Sequence, residues 1–181
     1  MISKYLGKLI LKLMGWKTEY NIPKYDKCIA IMAPHTSNWD FVIGRLFYFS
    51  IGIKPRFLIK KEIFFFPLNI ILRSLGGIPI DRSKSTSLVE KIIYMFNERT
   101  KFTLTITPEG TRKKVTNWKR GFYYISKKAN VPIVMGYLDY KKKIAGVYGK
   151  YIPQDNVEED IKIIKNYYKN VNAKHPEKFI I

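Results

Sequence analysis

The 181-residue sequence has a single cysteine, Cys28, and two histidines, His35 and His175. One cysteine excludes an intrachain disulfide framework and any multi-cysteine metal site. Two histidines leave little for a histidine-rich centre, so no metal is expected. No apolar run approaches the roughly 20 residues that a spanning helix needs. The longest, Ile63–Leu72, is interrupted by Pro67 and Asn69. The N-terminal apolar stretch carries lysines throughout rather than before it, unlike a cleavable signal peptide, so the cytoplasmic side is the expected location. Acidic residues are also scarce, 14 against 33 Lys and Arg, for a formal charge of +19. A surface this basic favours polyanions: nucleic acid, anionic lipid headgroups or phosphorylated substrates. No repeat, low-complexity linker or composition break divides the chain, and its length suits one domain.

What is present starts with an amphipathic N-terminus. Within Ile2–Trp16, Lys4, Lys8 and Lys12 recur every fourth residue as one stripe. Ile2, Leu6, Leu9, Leu13 and Trp16 follow helical spacing, with Tyr5, Ile10 and Met14 widening that face. The pattern is that of an interfacial helix lying in the headgroup plane, with Lys4, Lys8, Lys12 and Trp16 at the membrane. The competing reading is a helix docked on its own domain. The expected division is therefore an interfacial helix over residues 1–18 and a folded domain over residues 19–181.

Beyond it, short apolar runs alternate with helical patterns, which predicts one α/β domain with a largely parallel central sheet flanked by helices. Lys27–Ala33, Arg56–Lys60, Gly77–Ile80, Phe102–Thr107 and Val131–Leu138 read as strands. Asn38–Ile51, Leu88–Arg99, Arg120–Asn130 and Val157–Val171 read as helices. Ser87 with Glu90, and Asp155 with Glu158, look like capping boxes.

Polar clusters follow three of the strands: Pro34 to Asp40, Asp81-Arg82-Ser83, and Pro108 to Arg112. In a parallel sheet these strand ends share one edge, where open α/β folds place ligands. His35 and Asp40 can do base chemistry if the carboxylate accepts from one ring nitrogen and leaves the other free for a proton. Ser37 with Asp40 is also a capping box, and His35 could be an ordinary turn residue. Arg82 and Arg112 carry guanidinium forks suited to phosphate, and Gly110 allows close backbone approach to an anion. Surface charge accounts for either arginine equally well, and a structural ion pair would account for Glu109. Lys60 and Lys61 alone read as a solvated strand end, and Cys28 as a small buried hydrophobe.

In order and separation, these motifs resemble the glycerolipid acyltransferase family, best known for lysophosphatidate acyltransferases. His35, Ser37 and Asp40 match its His-x-Ser-x-x-Asp block, and Lys60-Lys61-Glu62 with Pro67 its second. Gly77 to Arg82, Pro108-Glu109-Gly110-Thr111-Arg112 and Val131-Pro132-Ile133 match the remaining three. The resemblance implies that His35 deprotonates an acceptor hydroxyl, which attacks the acyl thioester of coenzyme A or acyl carrier protein. Asp40 would orient His35. Lys60, Lys61, Asp81, Arg82, Glu109, Gly110, Thr111 and Arg112 would bind substrate, with arginines on the acceptor phosphate. It implies no cofactor beyond the thioester co-substrate, a lysophospholipid acceptor, and a peripheral place on the cytoplasmic face of an anionic membrane. An aminolipid or other lysolipid acceptor belongs to the same chemistry, and an idle membrane-binding module is the competing class. No nucleic-acid partner is expected, because no nucleic-acid motif is present and the aromatics sit in apolar runs.

Overall fold

The computed structural model describes the backbone of residues 2–81 and 85–181, and the side chains of residues 4–81 and 87–181. Lys27–Ala33 forms β2, buried on both faces, as an uninterrupted apolar run in a parallel sheet must be. Its side chains alternate between two cores. Ile29, Ile31 and Ala33 face one, while Cys28, Ala30 and Met32 face the other.

Around β2 lie β1 (Lys17–Glu19), β3 (Arg56–Lys60), β4 (Gly77–Ile80), β5 (Phe102–Ile106), β6 (Ile133–Asp139) and β7 (Ile144–Tyr151). The sheet order is β1-β7-β6-β2-β5-β3-β4. Every neighbouring pair is parallel except β6–β7. The carboxyl ends of β2, β5, β3 and β4 therefore share one edge. The helices are α1 (Ile2–Leu13), α2 (Trp39–Ile51), α3 (Leu68–Ser74), α4 (Ser85–Asn97), α5 (Gly121–Ala129) and α6 (Val157–Asn166). Ile92 and Phe96 of α4, Phe122 of α5 and Ile164 of α6 join the core with Ile29 and Ile31. Leu11 of α1 and Ile43 and Phe47 of α2 join the core on the opposite face.

The expected α/β architecture stands, with several local corrections. β1, β7 and α3 carried no sequence signal strong enough to be expected. α4 begins at Ser85, ahead of the expected Ser87 cap. α6 is capped by Asn156, whose side chain accepts from the Glu158 and Glu159 amides; Asp155 pairs with Lys127 instead. α6 also stops at Asn166, and Tyr168 and Val171 beyond it are buried in the core.

The N-terminal helix shows the largest difference. α1 packs on α2 through Gly7, where a Cβ would lie 2.9 Å from the Leu46 carbonyl oxygen and from the Phe49 Cβ. Leu11, absent from the expected apolar face, is the residue it buries. Trp16 is 7% exposed and edge-on to Tyr140, ring centroids 5.0 Å apart, so it belongs to the core and not to a membrane-facing set. Tyr5, Leu6, Leu9 and Leu13 remain exposed, and Lys4, Lys8 and Lys12 lie between them and the docked side. A boundary at residue 18 runs through β1, which pairs with β7; helix and sheet are continuous there.

Candidate active site

β2 ends at Ala33, and the chain turns through Pro34, His35, Thr36 and Ser37 into α2. Asp40 lies in the first turn of α2, where the helix dipole favours a carboxylate. Its Oδ2 accepts from the amides of Thr36 at 2.7 Å and Ser37 at 2.8 Å. The same oxygen lies 3.2 Å from His35 Nδ1. Oδ1 accepts from the Tyr140 hydroxyl at 2.7 Å. Ser37 Oγ accepts from the Trp39 amide at 3.2 Å. One carboxylate thus ties the loop to the helix and orients the imidazole.

Burial pushes the Asp40 pKa upward, but hydrogen bonds from His35, Tyr140 and the Ser37 amide outweigh it, and the net shift is down. Asp40 is therefore ionised at neutral pH. A carboxylate against Nδ1 places the ring proton there and leaves Nε2 as the acceptor.

Glu109 follows β5, the strand beside β2, and this adjacency brings it to the His35 loop. Glu109 Oε1 accepts from the His35 backbone amide at 3.0 Å. Glu109 is 6% exposed, and its Oε2 is buried with no hydrogen-bond partner among the described residues. Burial pushes its pKa up to about 7, above the ordinary 4.5. Glu109 thereby holds the backbone that carries the histidine.

The other predicted residues separate into groups. Lys61 Nζ and Asp81 Oδ2 meet at 2.6 Å, joining the ends of β3 and β4. Lys60 and Arg112 are exposed. Thr111 Oγ1 accepts from the Lys113 amide at 3.2 Å, closing a local turn. Gly110 sits at φ +66, a left-handed conformation that favours glycine, and a Cβ there would lie 2.8 Å from Lys119 Cε. Arg82 lies outside the described residues. With strands about 4.8 Å apart, the Lys61 end of β3 is about 10 Å from the His35 end of β2. The edge thus presents a half-buried His35 on a buried Asp40, flanked by exposed cations.

Sequence reasoning missed Tyr140, whose hydroxyl reaches Asp40 from the turn between β6 and β7, 100 residues away. It also missed the C-terminal segment, where the His175 amide donates to Thr36 Oγ1 at 3.2 Å. Neither has a local signal, since both depend on sheet order. Cys28 is buried, with its thiol pushed up to about 11, and lies near the amino end of β2, the end away from this chemistry. Among the described residues, no three His, Cys, Asp or Glu side chains cluster as a metal would require. No helix among them is long and apolar enough to cross a membrane.

An α/β sheet with an oriented histidine and a basic rim at its carboxyl edge has the form of an enzyme site for an anionic substrate. The family model for acyltransferases matches residues 16–136, and the chain belongs to that family. The structure is similar to the crystal structure of the 1-acyl-sn-glycerophosphate (LPA) acyltransferase, PlsC, from Thermotoga maritima. The TM-score is 0.63 at 18% identity, covering 95% of this chain and 80% of that one. A protein from Macrococcus caseolyticus (strain JCSC5402) named histidine–tRNA ligase is 27% identical over 174 residues. That match covers 86% of this chain but 37% of the ligase, so the chain spans little more than a third of that relative.

Proposed function

We propose that the protein transfers a fatty acyl group from a thioester, acyl-CoA or acyl carrier protein, to the free hydroxyl of lysophosphatidate at a membrane surface. The carrying observation is the His35–Asp40 pair, 3.2 Å apart, with every Asp40 oxygen already committed to the loop or to Tyr140. His35 Nε2 takes the hydroxyl proton as the oxygen attacks the thioester carbonyl. Asp40 stabilises the imidazolium that forms. The tetrahedral intermediate collapses, the C–S bond breaks, and the imidazolium returns its proton to the departing thiolate. An ester and a free thiol result, and no acyl-enzyme is required. Lys60, Lys61 and Arg112, with Arg82 from the matched motif, take the acceptor phosphate.

Ser37 is a poor nucleophile in this setting, since its Oγ is already engaged by the Trp39 amide. Membership of the acyltransferase family supports the reaction class. The likeness to a 1-acyl-sn-glycerophosphate acyltransferase favours lysophosphatidate over an aminolipid or other lysolipid. The absence of a spanning helix among the described residues agrees with peripheral attachment, for which the cytoplasmic face is the proposed side.

The test is turnover of His35→Ala beside the parent, with circular dichroism to establish that both are folded. The variant should release no thiol above the uncatalysed rate. Parent-like turnover would sink the assignment. A parent that binds anionic vesicles yet transfers no acyl group to any lysolipid would favour an idle membrane module instead.

A further inference from the structure

The sheet's two faces differ in what they leave uncovered. On the face bearing α1 and α2, β3 directs Phe57 and Ile59 outward, because Leu58 between them packs into the opposite core. Phe57 meets Phe41 of α2 edge-on, ring centroids 4.9 Å apart. A Cβ on Gly77 would lie 3.1 Å from Ile59 Cδ1 and 2.8 Å from the Leu72 carbonyl, so α3 covers Ile59 on this same face. A right-handed β3-α3-β4 crossover places α3 there too. Helices α1, α2 and α3 therefore form one layer.

That layer carries apolar side chains that are exposed to solvent. Phe65 is 60% exposed and Phe66 78%, in the turn leading into α3. Ile63, Ile70 and Ile71 beside them are exposed as well. Trp39 and Phe41 are exposed at the start of α2, immediately after the His35 loop. The basic residues are arranged to match. Residues 54–73 contain Lys54, Arg56, Lys60, Lys61 and Arg73 against the single acid Glu62, and α1 contributes Lys4, Lys8 and Lys12 with no acid. Apolar tips ringed by cations suit a bilayer bearing anionic lipid: the tips enter the acyl boundary, and the cations meet the headgroups.

We infer that the Ile63–Ile71 knuckle is a second membrane-insertion element, which acts with the outward side of α1 to seat this helical layer on an anionic bilayer. Two separated contacts fix the molecule's tilt, where one helix would leave it free to roll. α2 packs on α1 at Leu46 and Phe49 and on β3 through Phe41, so it lies between the two contacts, with the His35 loop at its start. The orientation deepens the function proposed above and rests on it for its purpose, but the contact itself stands on exposure and charge.

Phe65→Ser/Phe66→Ser tests the contact by cosedimentation with vesicles of phosphatidylcholine containing one-third phosphatidylserine. Losing two inserted phenyl rings should lower the partition coefficient by about thirtyfold or more. The melting temperature should not fall, because both rings are exposed. Parent-like partitioning would overturn the inference. In the second test, Phe66→Trp in a Trp39→Phe background should be quenched by brominated acyl chains when the protein is vesicle-bound. Trp16 and Trp118 are buried and contribute a constant background. Bound protein whose new tryptophan escapes quenching would also overturn it. With short-chain, water-soluble acyl donor and acceptor, the double serine variant should turn over at the parent rate. Knuckle-dependent binding in a parent that transfers nothing would refute the acyl-transfer function and leave this contact standing.

Discussion

Replacing Glu109 with glutamine isolates the energetic consequence of burying an acid beneath the His35 loop. The parent carboxyl is raised to about 7 from 4.5 by burial, with one oxygen spent on the His35 amide and the other without a partner among the described residues. At about 1.4 kcal/mol per tenfold, that difference corresponds to about 3 kcal/mol. The sign follows from proton linkage. Between the unfolded and folded pKa values, the native state holds the proton that the unfolded chain has released, so stability falls as pH rises. The contribution is fully present below about pH 4.5 and is lost as pH passes through about 7. Glutamine keeps an oxygen for the His35 amide and removes the titration. Urea unfolding of both proteins at intervals from pH 4.5 to 8.5 reads the effect. The parent should lose about 3 kcal/mol more than Glu109→Gln across that window, with the difference developing below about pH 7. Parallel curves, or a variant that is less stable than the parent at pH 8.5, would refute the reasoning.

Tyr140→Phe removes the hydroxyl that donates to Asp40 Oδ1 at 2.7 Å, and should cost about 1.5–3 kcal/mol of stability, as hydrogen bonds to charged groups do. Because a lowered Asp40 pKa confers stability above the unfolded value that is lost as pH falls, the variant should begin acid unfolding at higher pH than the parent. Its kcat should fall with KM unchanged, since the hydroxyl acts through Asp40 and touches no substrate. Gly7→Leu forces a side chain into the α1–α2 contact, where even a Cβ lies 2.9 Å from Leu46 O. It should destabilise by about 1–3 kcal/mol in thermal unfolding; an unchanged midpoint would show that α1 does not dock on α2.

The residues that sequence reasoning located share a physical reason. β2, β4 and β5 are apolar runs closed by polar clusters, and in a parallel sheet the closing residues must fall on one edge, so His35, Asp81 and Glu109 were legible together. Asp40 was legible because a helix start so close to His35 brings the carboxylate back to the ring. Glu109 was legible at that edge, but its hydrogen bond was not, because only strand adjacency shows that its oxygen faces the His35 amide. β7 was hidden by its mixture of glycine, charge and aromatics, Ile-Ala-Gly-Val-Tyr-Gly-Lys-Tyr, and β1 by its three residues. With β7 unseen, the turn that delivers Tyr140 to Asp40 could not be foreseen. For α1, periodicity revealed apolar residues on most sides but not which edge would pack; Gly7, which lets the α2 backbone approach, decides that and brings Leu11 inward.

The central claim is that His35 activates a lysolipid hydroxyl toward a thioester. Thiol release from acyl-CoA, followed with anionic vesicles in the presence and absence of lysophosphatidate, tests it most directly, with His35→Ala alongside. Release that requires both lysophosphatidate and His35, matched by an equal yield of the diacyl product, is the predicted result. Release that proceeds equally without the acceptor, or equally in His35→Ala, would contradict it.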